Sequence, residues 1–385
     1  MKKVALIGVT GFGRTHLNHL TKLADEGLLD ISAAVVRNAG KAQKELETLA
    51  QYHTVIYSSS DELFARERGR IDLVCIPTGI DSHESLTCQA MAAGVNVLLE
   101  KPAAGSAEAV RRMIAARRNG LFVAVGFQHC YAPEIHYFKK ILNSGKLGKI
   151  VRSSAVGAWP RGDSYYNRNS WAGRRISPGG QPVLDSPVNN AFAHYLNLLL
   201  FLNGKNERVT ASAVTVSGIL WRARPDIEMF DACHSLFTLE NGSTAEIQFA
   251  HCCDSAITPR IRVECENGLI EWLNNESWLI SGIGGAPIAS GTAWLPEDVM
   301  FRQVLLKLDD PEVPVYTLQN ALEHTKCIEL LDQSCRIQKA DSEIKDGIYC
   351  IPGLVERFKR NFDGPEHSPA DGTDREKDGT DDRKK

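Results

Sequence analysis

Val4-Ala5-Leu6-Ile7-Gly8-Val9-Thr10-Gly11-Phe12-Gly13 is the stretch that decides the fold. Four consecutive apolar residues suit a short strand buried on both faces of a parallel sheet. The glycines that follow suit a tight turn into a helix, whose stripe of Leu17, Leu20, Leu23 and Ala24 stops at Gly27. Strand and helix then alternate. Residues 31–36, 55–57, 73–76, 95–99 and 121–125 read as further strands. Between them the pattern predicts a helix marked by Ala42, Leu46 and Leu49, one capped by Asp61, one ending near Gly94, and one capped by Ser106 and ending at Asn119-Gly120. This alternation predicts a doubly wound α/β unit over residues 1–126.

After Gly126 the pattern changes. Residues 133–143 read as a helix and 150–158 as a long strand. Two pairs of strand-like runs meet at Asn-Gly turns, 235–239 with 245–249 across Asn241-Gly242, and 260–264 with 269–273 across Asn267-Gly268. Helices are expected over 318–331 and 354–362. Residues 127–362 are therefore expected to form an α+β unit with a large, mostly antiparallel open sheet. From Asp363 onward no side chain is both apolar and larger than Pro, which predicts a disordered charged tail over 363–385.

Composition narrows the function. A chain of 385 residues with net charge −3 offers no basic footprint for nucleic acid. No apolar run approaches the ~20 residues of a membrane span, and the start lacks a signal-peptide pattern, so a cytoplasmic protein is expected. Its ten cysteines include no C-x-x-C pair. The cluster His251-Cys252-Cys253-Asp254 ends a strand, where adjacent side chains point to opposite faces, so reduced cysteines and no metal site are expected.

The loop after the first strand approaches the G-x-G-x-x-G pattern, with Thr10 at the second glycine position and Gly11 added. Gly8, Thr10, Gly11, Phe12 and Gly13 are thus expected to face a dinucleotide pyrophosphate at a helix N-terminus. The end of the second strand carries Val36-Arg37-Asn38 where an acidic residue would meet the ribose hydroxyls. Arg37 suits a ribose 2′-phosphate, which predicts NADP in preference to NAD.

Further on stand Ile76-Pro77-Thr78, His83, and a strand ending in Leu99-Glu100-Lys101-Pro102, with Gly126-Phe127-Gln128 at the junction. This ensemble resembles the glucose–fructose oxidoreductase, inositol dehydrogenase and rhizopine-catabolism (Gfo/Idh/MocA) family over nearly the whole chain except the tail. The resemblance implies a Rossmann domain plus a C-terminal domain whose sheet mediates homodimers or homotetramers. It also implies hydride transfer between NAD(P) and a sugar or polyol, with Pro77, Thr78, His83 and Glu100 about the cofactor and Lys101 in the nicotinamide pocket.

The family's second signature, G-G-x-x-x-x-D-x-x-x-H, falls on Gly179-Gly180 and the residues that follow. Counting forward from Gly180 puts Asp185 at the aspartate and Asn189 at the histidine. Counting back along the next helix puts His194 at the histidine and Asn190 at the aspartate, which implies an inserted helical turn. Only His194 has a pKa suited to acid/base work, so it takes that role, with Asn190 on its face and Asp185 as a helix N-cap within reach of the pocket. In the polar, aromatic segment 159–175, Arg161, Tyr166 and Trp171 are the candidate substrate contacts, since flat rings suit a sugar's C–H face and guanidinium groups its polar substituents. Two other readings of this scaffold are a glycosidase that oxidises its substrate transiently and a non-catalytic sugar or dinucleotide sensor.

Overall fold

The computed structural model describes residues 1–293 and 298–364. Its first layer is the alternating series. Strands β1 (Lys2–Ile7), β2 (Leu29–Val35), β3 (Val55–Tyr57), β4 (Leu73–Ile76), β5 (Asn96–Leu99) and β6 (Val123–Val125) enclose helices α1 (Gly13–Asp25), α2 (Gln43–Gln51), α3 (Ser60–Arg66), α4 (His83–Ala93) and α5 (Ala107–Ala116). All neighbours are parallel, in the order β3-β2-β1-β4-β5-β6. The order reverses beside β1, and in such sheets the crevice beyond the carboxyl ends at that point is where ligands bind. The expected cap on α3 moves. Ser59, not Asp61, has the extended backbone of an N-cap and accepts from the Glu62 N–H at 3.2 Å. Ser106 caps α5 as expected, accepting from the Ala109 N–H.

The remaining elements are α6 (Pro133–Asn143), β7 (Ile150–Ala158), a single turn α7 (Asp163–Tyr166) and α8 (Ala193–Leu202). Strands β8 (Ala213–Arg222), β9 (Ala232–Leu239), β10 (Thr244–Ala250), β11 (Ile257–Cys265), β12 (Gly268–Leu273), β13 (Ser277–Gly282) and β14 (Pro287–Gly291) follow. Last come α9 (Val299–Asp309), α10 (Leu318–Ser334), β15 (Ile337–Lys339), the hairpin of β16 (Glu343–Lys345) and β17 (Ile348–Cys350), and α11 (Leu354–Asp363). Nine strands form one sheet, β14-β13-β12-β11-β7-β10-β9-β8-β15, antiparallel except where β7 meets β10 and β8 meets β15. The second Asn-Gly turn differs from expectation. Gly268 pairs with Cys265 as the first residue of β12, because a side chain there would meet the Ser281 carbonyl at 2.5 Å.

Alternation along the strands divides the sheet's faces. Ala155, Ile247 and Phe249 face the main core beneath α8, while Val156, Ala158, Ala232 and Ala250 face outward. At one end α11 covers that outer face with Leu354, Val355, Phe358 and Phe362. The helix includes Asp363, which pairs with Arg260 at 3.0 Å, so it runs one residue beyond its expected end at 362. Residues 365–385 of the expected tail lie outside the described residues. No described helix is long and apolar enough to cross a membrane. All ten cysteines are unbridged, and no group of His, Cys, Asp or Glu among the described residues is arranged to hold a metal.

Candidate functional site

Two cavities meet the carboxyl ends of the parallel strands. The first, about 410 Å³, lies over the switch point and is lined by Gly8, Val9 and Thr10, by Arg37, Asn38 and Lys41, and by Ser59, Ser60 and Thr78 among others. Gly8 and Gly11 have φ of 90° and 61°, and a side chain on Gly13 would meet the Gly8 carbonyl oxygen at 2.2 Å. Loop and helix therefore close on each other only with glycine at 13. The N–H groups of Gly13, Arg14 and Thr15 are consumed by turn bonds to Thr10, Gly11 and Phe12. The N–H groups of Thr10, Gly11 and Phe12 find no partner among the described residues, which leaves donors at the helix N-terminus. These glycines and unpartnered donors fit a dinucleotide pyrophosphate. No acidic side chain lines this cavity.

The second cavity, about 480 Å³, lies between the two sheets. Phe12, His16, Glu100 and Lys101 line it from one side, and His129, Trp159, His194, Tyr195 and Asn274 from the other. Lys101, just past β5, donates from Nζ to the Asn190 carbonyl at 3.0 Å. Burial lowers its pKa, and the neighbouring carboxylates of Glu100 and Asp185 oppose that shift. Glu100 is held by His16 at 2.9 Å and accepts from the Lys101 N–H at 3.1 Å.

His194 opens the first turn of α8. Burial holds its pKa well below the usual imidazole range, and the charge of Lys101 adds to that effect. His129 packs edge-on against it with ring centroids 4.9 Å apart, and its own pKa is pushed down to about 4 by burial. His324 on α10 completes the group, likewise depressed to about 3. The site thus holds one lysine among neutral imidazoles.

Asp185 is not the N-cap of α8. The helix begins at Ala193, and the extra residues form a run of turns over 186–192. The buried Asp185 carboxylate accepts from the Gly173 N–H at 2.7 Å, from Asn190 Nδ2 at 2.7 Å and, through both of its oxygens, from Arg168 Nη2 at 3.1–3.2 Å. Asn189 donates to the Val183 carbonyl at 2.9 Å, which leaves it a structural tie. His194 shares the larger cavity with Lys101, whereas Asn189 meets it only in a side pocket of about 60 Å³. Asn190 does not lie within the helix on the face of His194; it precedes the helix and braces Asp185 and Lys101.

Other expected site residues are spread between the cavities and the core, although Thr78, His83, Asp185, Asn190 and Trp171 meet Lys101 in a side pocket. Thr78 lines the first cavity. Pro77 packs near the glycine loop, with its Cγ 3.6 Å from where a Gly13 side chain would begin. His83 is turned inward; its ring nitrogens lie 3.0 Å from the Pro102 carbonyl and 3.1 Å from that of Thr78, so it ties the turn after β5 to the exit of β4. Tyr166 is buried, its hydroxyl 3.3 Å from His251 Nδ1, and lines neither cavity. Trp171 lines a side pocket of about 60 Å³ with Lys101, Asp185 and Asn190. Arg161 lines neither cavity; its guanidinium lies 5.7 Å from the ring centre of Trp159, which lines the second. His16, His129, His324, Trp159 and Arg168 were not singled out from sequence. A histidine immediately after Gln128 at the junction, and His324 interrupting the apolar stripe of α10, were the available signals.

Comparison with known proteins bears on the same surfaces. A model described as "Oxidoreductase family, NAD-binding Rossmann fold" matches residues 2–127, and "GFO/IDH/MocA C-terminal domain" matches 135–271. Inositol 2-dehydrogenase 2 of Saccharopolyspora erythraea is 27% identical over 252 residues, spanning 63% of this chain and 65% of that protein. Rhizopine catabolism protein MocA of Rhizobium meliloti is 26% identical over 242 residues, spanning 62% of this chain and 68% of that protein. The fold matches the WlbA dehydrogenase of Bordetella pertussis, solved with NADH and UDP-GlcNAcA, with a TM-score of 0.69 at 19% identity over 86% of this chain and 96% of that one.

The depressed histidines make stability depend on acid. In the unfolded chain a histidine titrates near ~6.5, whereas His129 and His324 in the fold titrate at about 4 and about 3, and His194 and His251 well below normal. Between those limits the unfolded chain binds more protons. Stability is therefore fully present above about pH 6.5 and is lost as pH falls toward 4. We expect the urea midpoint to drop between pH 7.5 and pH 5.0, with a smaller drop in His129→Gln. A midpoint that ignores pH in this window would contradict the buried neutral assignment.

Proposed function

This chain belongs to the Gfo/Idh/MocA oxidoreductase family, and from that premise we propose that it is an NAD(P)-dependent dehydrogenase of a sugar, polyol or sugar derivative. The observation that carries this reading is the meeting of Lys101, from the turn after β5, and His194, from α8, in one cavity beside the glycine loop. Residues 1–126 would bind the dinucleotide and 127–362 the substrate. The N–H groups of Thr10 to Phe12 would hold the pyrophosphate. The bound nicotinamide supplies the hydride acceptor for oxidation, or the donor for reduction.

The protein's own groups manage the proton. Neutral His194 accepts it from the substrate hydroxyl as the C–H hydride departs and the carbonyl forms. The Lys101 ammonium donates to that oxygen as its charge develops. Glu100, tied by His16, fixes the backbone at Lys101, and Asn190 fixes the ammonium. Trp159 and Tyr195 wall the cavity with flat apolar faces suited to a sugar ring.

Arg37 and Lys41, with serines and no carboxylate in the lining, support NADP as the preferred cofactor. Assembly is proposed through the outer sheet face, where Ile219 and Leu236 remain exposed beside the Arg152–Glu246–His234 group.

Three measurements follow from this reading. Lys101→Met and His194→Ala should each lower kcat by ~10²–10⁴-fold; full turnover in His194→Ala would remove it from the chemistry. Arg37→Asp should weaken NADPH relative to NADH by about 10-fold or more in fluorescence titration, and an unchanged ratio would discard the phosphate contact. Leu236→Lys should shift sedimentation toward the monomer; an unaltered oligomer would place the interface elsewhere.

A further inference from the structure

We propose that the substrate carries an anionic group and that Arg161 is the residue that reads it. This rests on the dehydrogenase reading and names the substrate class of the same site. Arg161 follows Trp159 out of β7, and its backbone is fixed by a bond to the His251 carbonyl at 3.1 Å. Its guanidinium lies over two rings, 5.7 Å from the centre of Trp159 and 5.0 Å from that of Tyr165. Trp159 is itself a wall of the catalytic cavity. The Nε of Arg161 is buried and has no hydrogen-bond partner. A buried guanidinium donor left unpaired is costly, and a ligand oxygen would remove that cost.

Among the described residues no carboxylate pairs with Arg161 directly. Asp163 and Asp226 share Arg224 at 2.7 Å each, Asp185 pairs with Arg168 at 3.1 Å, and Asp254 with Lys345 at 3.1 Å. Asp231 is taken by the N–H groups of Ala223 and Arg224, both at 2.9 Å. His251, Tyr165 and Cys253 also adjoin Arg161, and burial keeps each uncharged at neutral pH. A second guanidinium, that of Arg168, lies 3.9 Å from the same Tyr165 ring centre. Two guanidinium groups on one ring stand within about a Debye length of each other and repel, with only Arg168 neutralised.

Across the cavity the cation Lys101 already faces the carboxylates of Glu100 and Asp185. Arg161 is therefore a guanidinium of this wall that touches no carboxylate among the described residues. A carboxylate suits it by planar, paired hydrogen bonds, and a phosphate ester by charge. Either would orient the ring against Trp159 while a hydroxyl lies toward Lys101 and His194.

The test compares glucose, glucuronate and glucose 6-phosphate by calorimetric binding to the NADPH-loaded protein, alongside nicotinamide oxidation or reduction with each. At least one acidic probe should bind on the order of 100-fold more tightly than glucose, glucuronate leading if a carboxylate is read and glucose 6-phosphate if a phosphate is. Arg161→Gln should reduce that preference to within about threefold, and Arg161→Lys should retain part of it. Their folding is checked by NADPH binding, and the comparison on the unaltered protein needs no variant. Equal binding of glucose and both acids, or a preference that survives in Arg161→Gln, overturns the inference while leaving the dehydrogenase reading intact. Acid-selective binding that depends on Arg161, without redox turnover of any probe, supports the inference and counts against the dehydrogenase reading.

Discussion

The contact on which the site depends is the one between the Lys101 ammonium and the Asn190 carbonyl. It joins the turn after the last-but-one parallel strand to the segment that introduces α8, so it sets the distance between the glycine loop and His194. It also places a cation inside a partly desolvated cavity, which then dictates what can stand nearby. Carboxylates are tolerated because they oppose the cost of burying the charge. Imidazoles are tolerated only while neutral. His129, His194 and His324 satisfy that condition through their own burial, and the charge of Lys101 reinforces it.

Asp185 is the second anchor. Its carboxylate gathers a backbone N–H, an amide and a guanidinium from three points of the segment between β7 and α8. That segment holds only one short helical turn, so these bonds, more than secondary structure, hold it over the cavity. Removing a partner from such a buried charge typically costs about 3–5 kcal/mol. The same bonds consume Arg168, while Arg161 on the same Tyr165 ring has no carboxylate partner among the described residues.

The first layer was readable because its determinants are local. Apolar runs such as 73–76, glycines at turns and serine caps each act over a few residues, and the predicted strands agree with the parallel sheet to within one or two positions at most ends. The glycine loop and Glu100-Lys101-Pro102 were legible for the same reason. The errors lie where local rules compete. Asp61 and Ser59 both suit a cap, and the backbone angle chose Ser59. Asn267-Gly268 looked like a turn, and close approach to the next strand made Gly268 a strand residue. Asp185 before Pro187 looked like a helix start, and bonds from Arg168 and Gly173 drew its side chain away.

The sequence by itself determined the layer order, the dinucleotide loop and the presence of a lysine and a histidine able to move a proton, because each follows from neighbours along the chain. Only the tertiary structure decided which groups share a cavity. Lys101 and Asn190 lie 89 positions apart, and Asp185 meets Arg168 and Gly173 through a loop without regular periodicity. It also turned His83 and Tyr166 inward, brought His16, His129 and His324 to the site, and set Arg161 over Trp159 with no carboxylate partner among the described residues. Pairing of charges and burial of imidazoles depend on distances in space, which packing of separate elements sets and no spacing along the chain records.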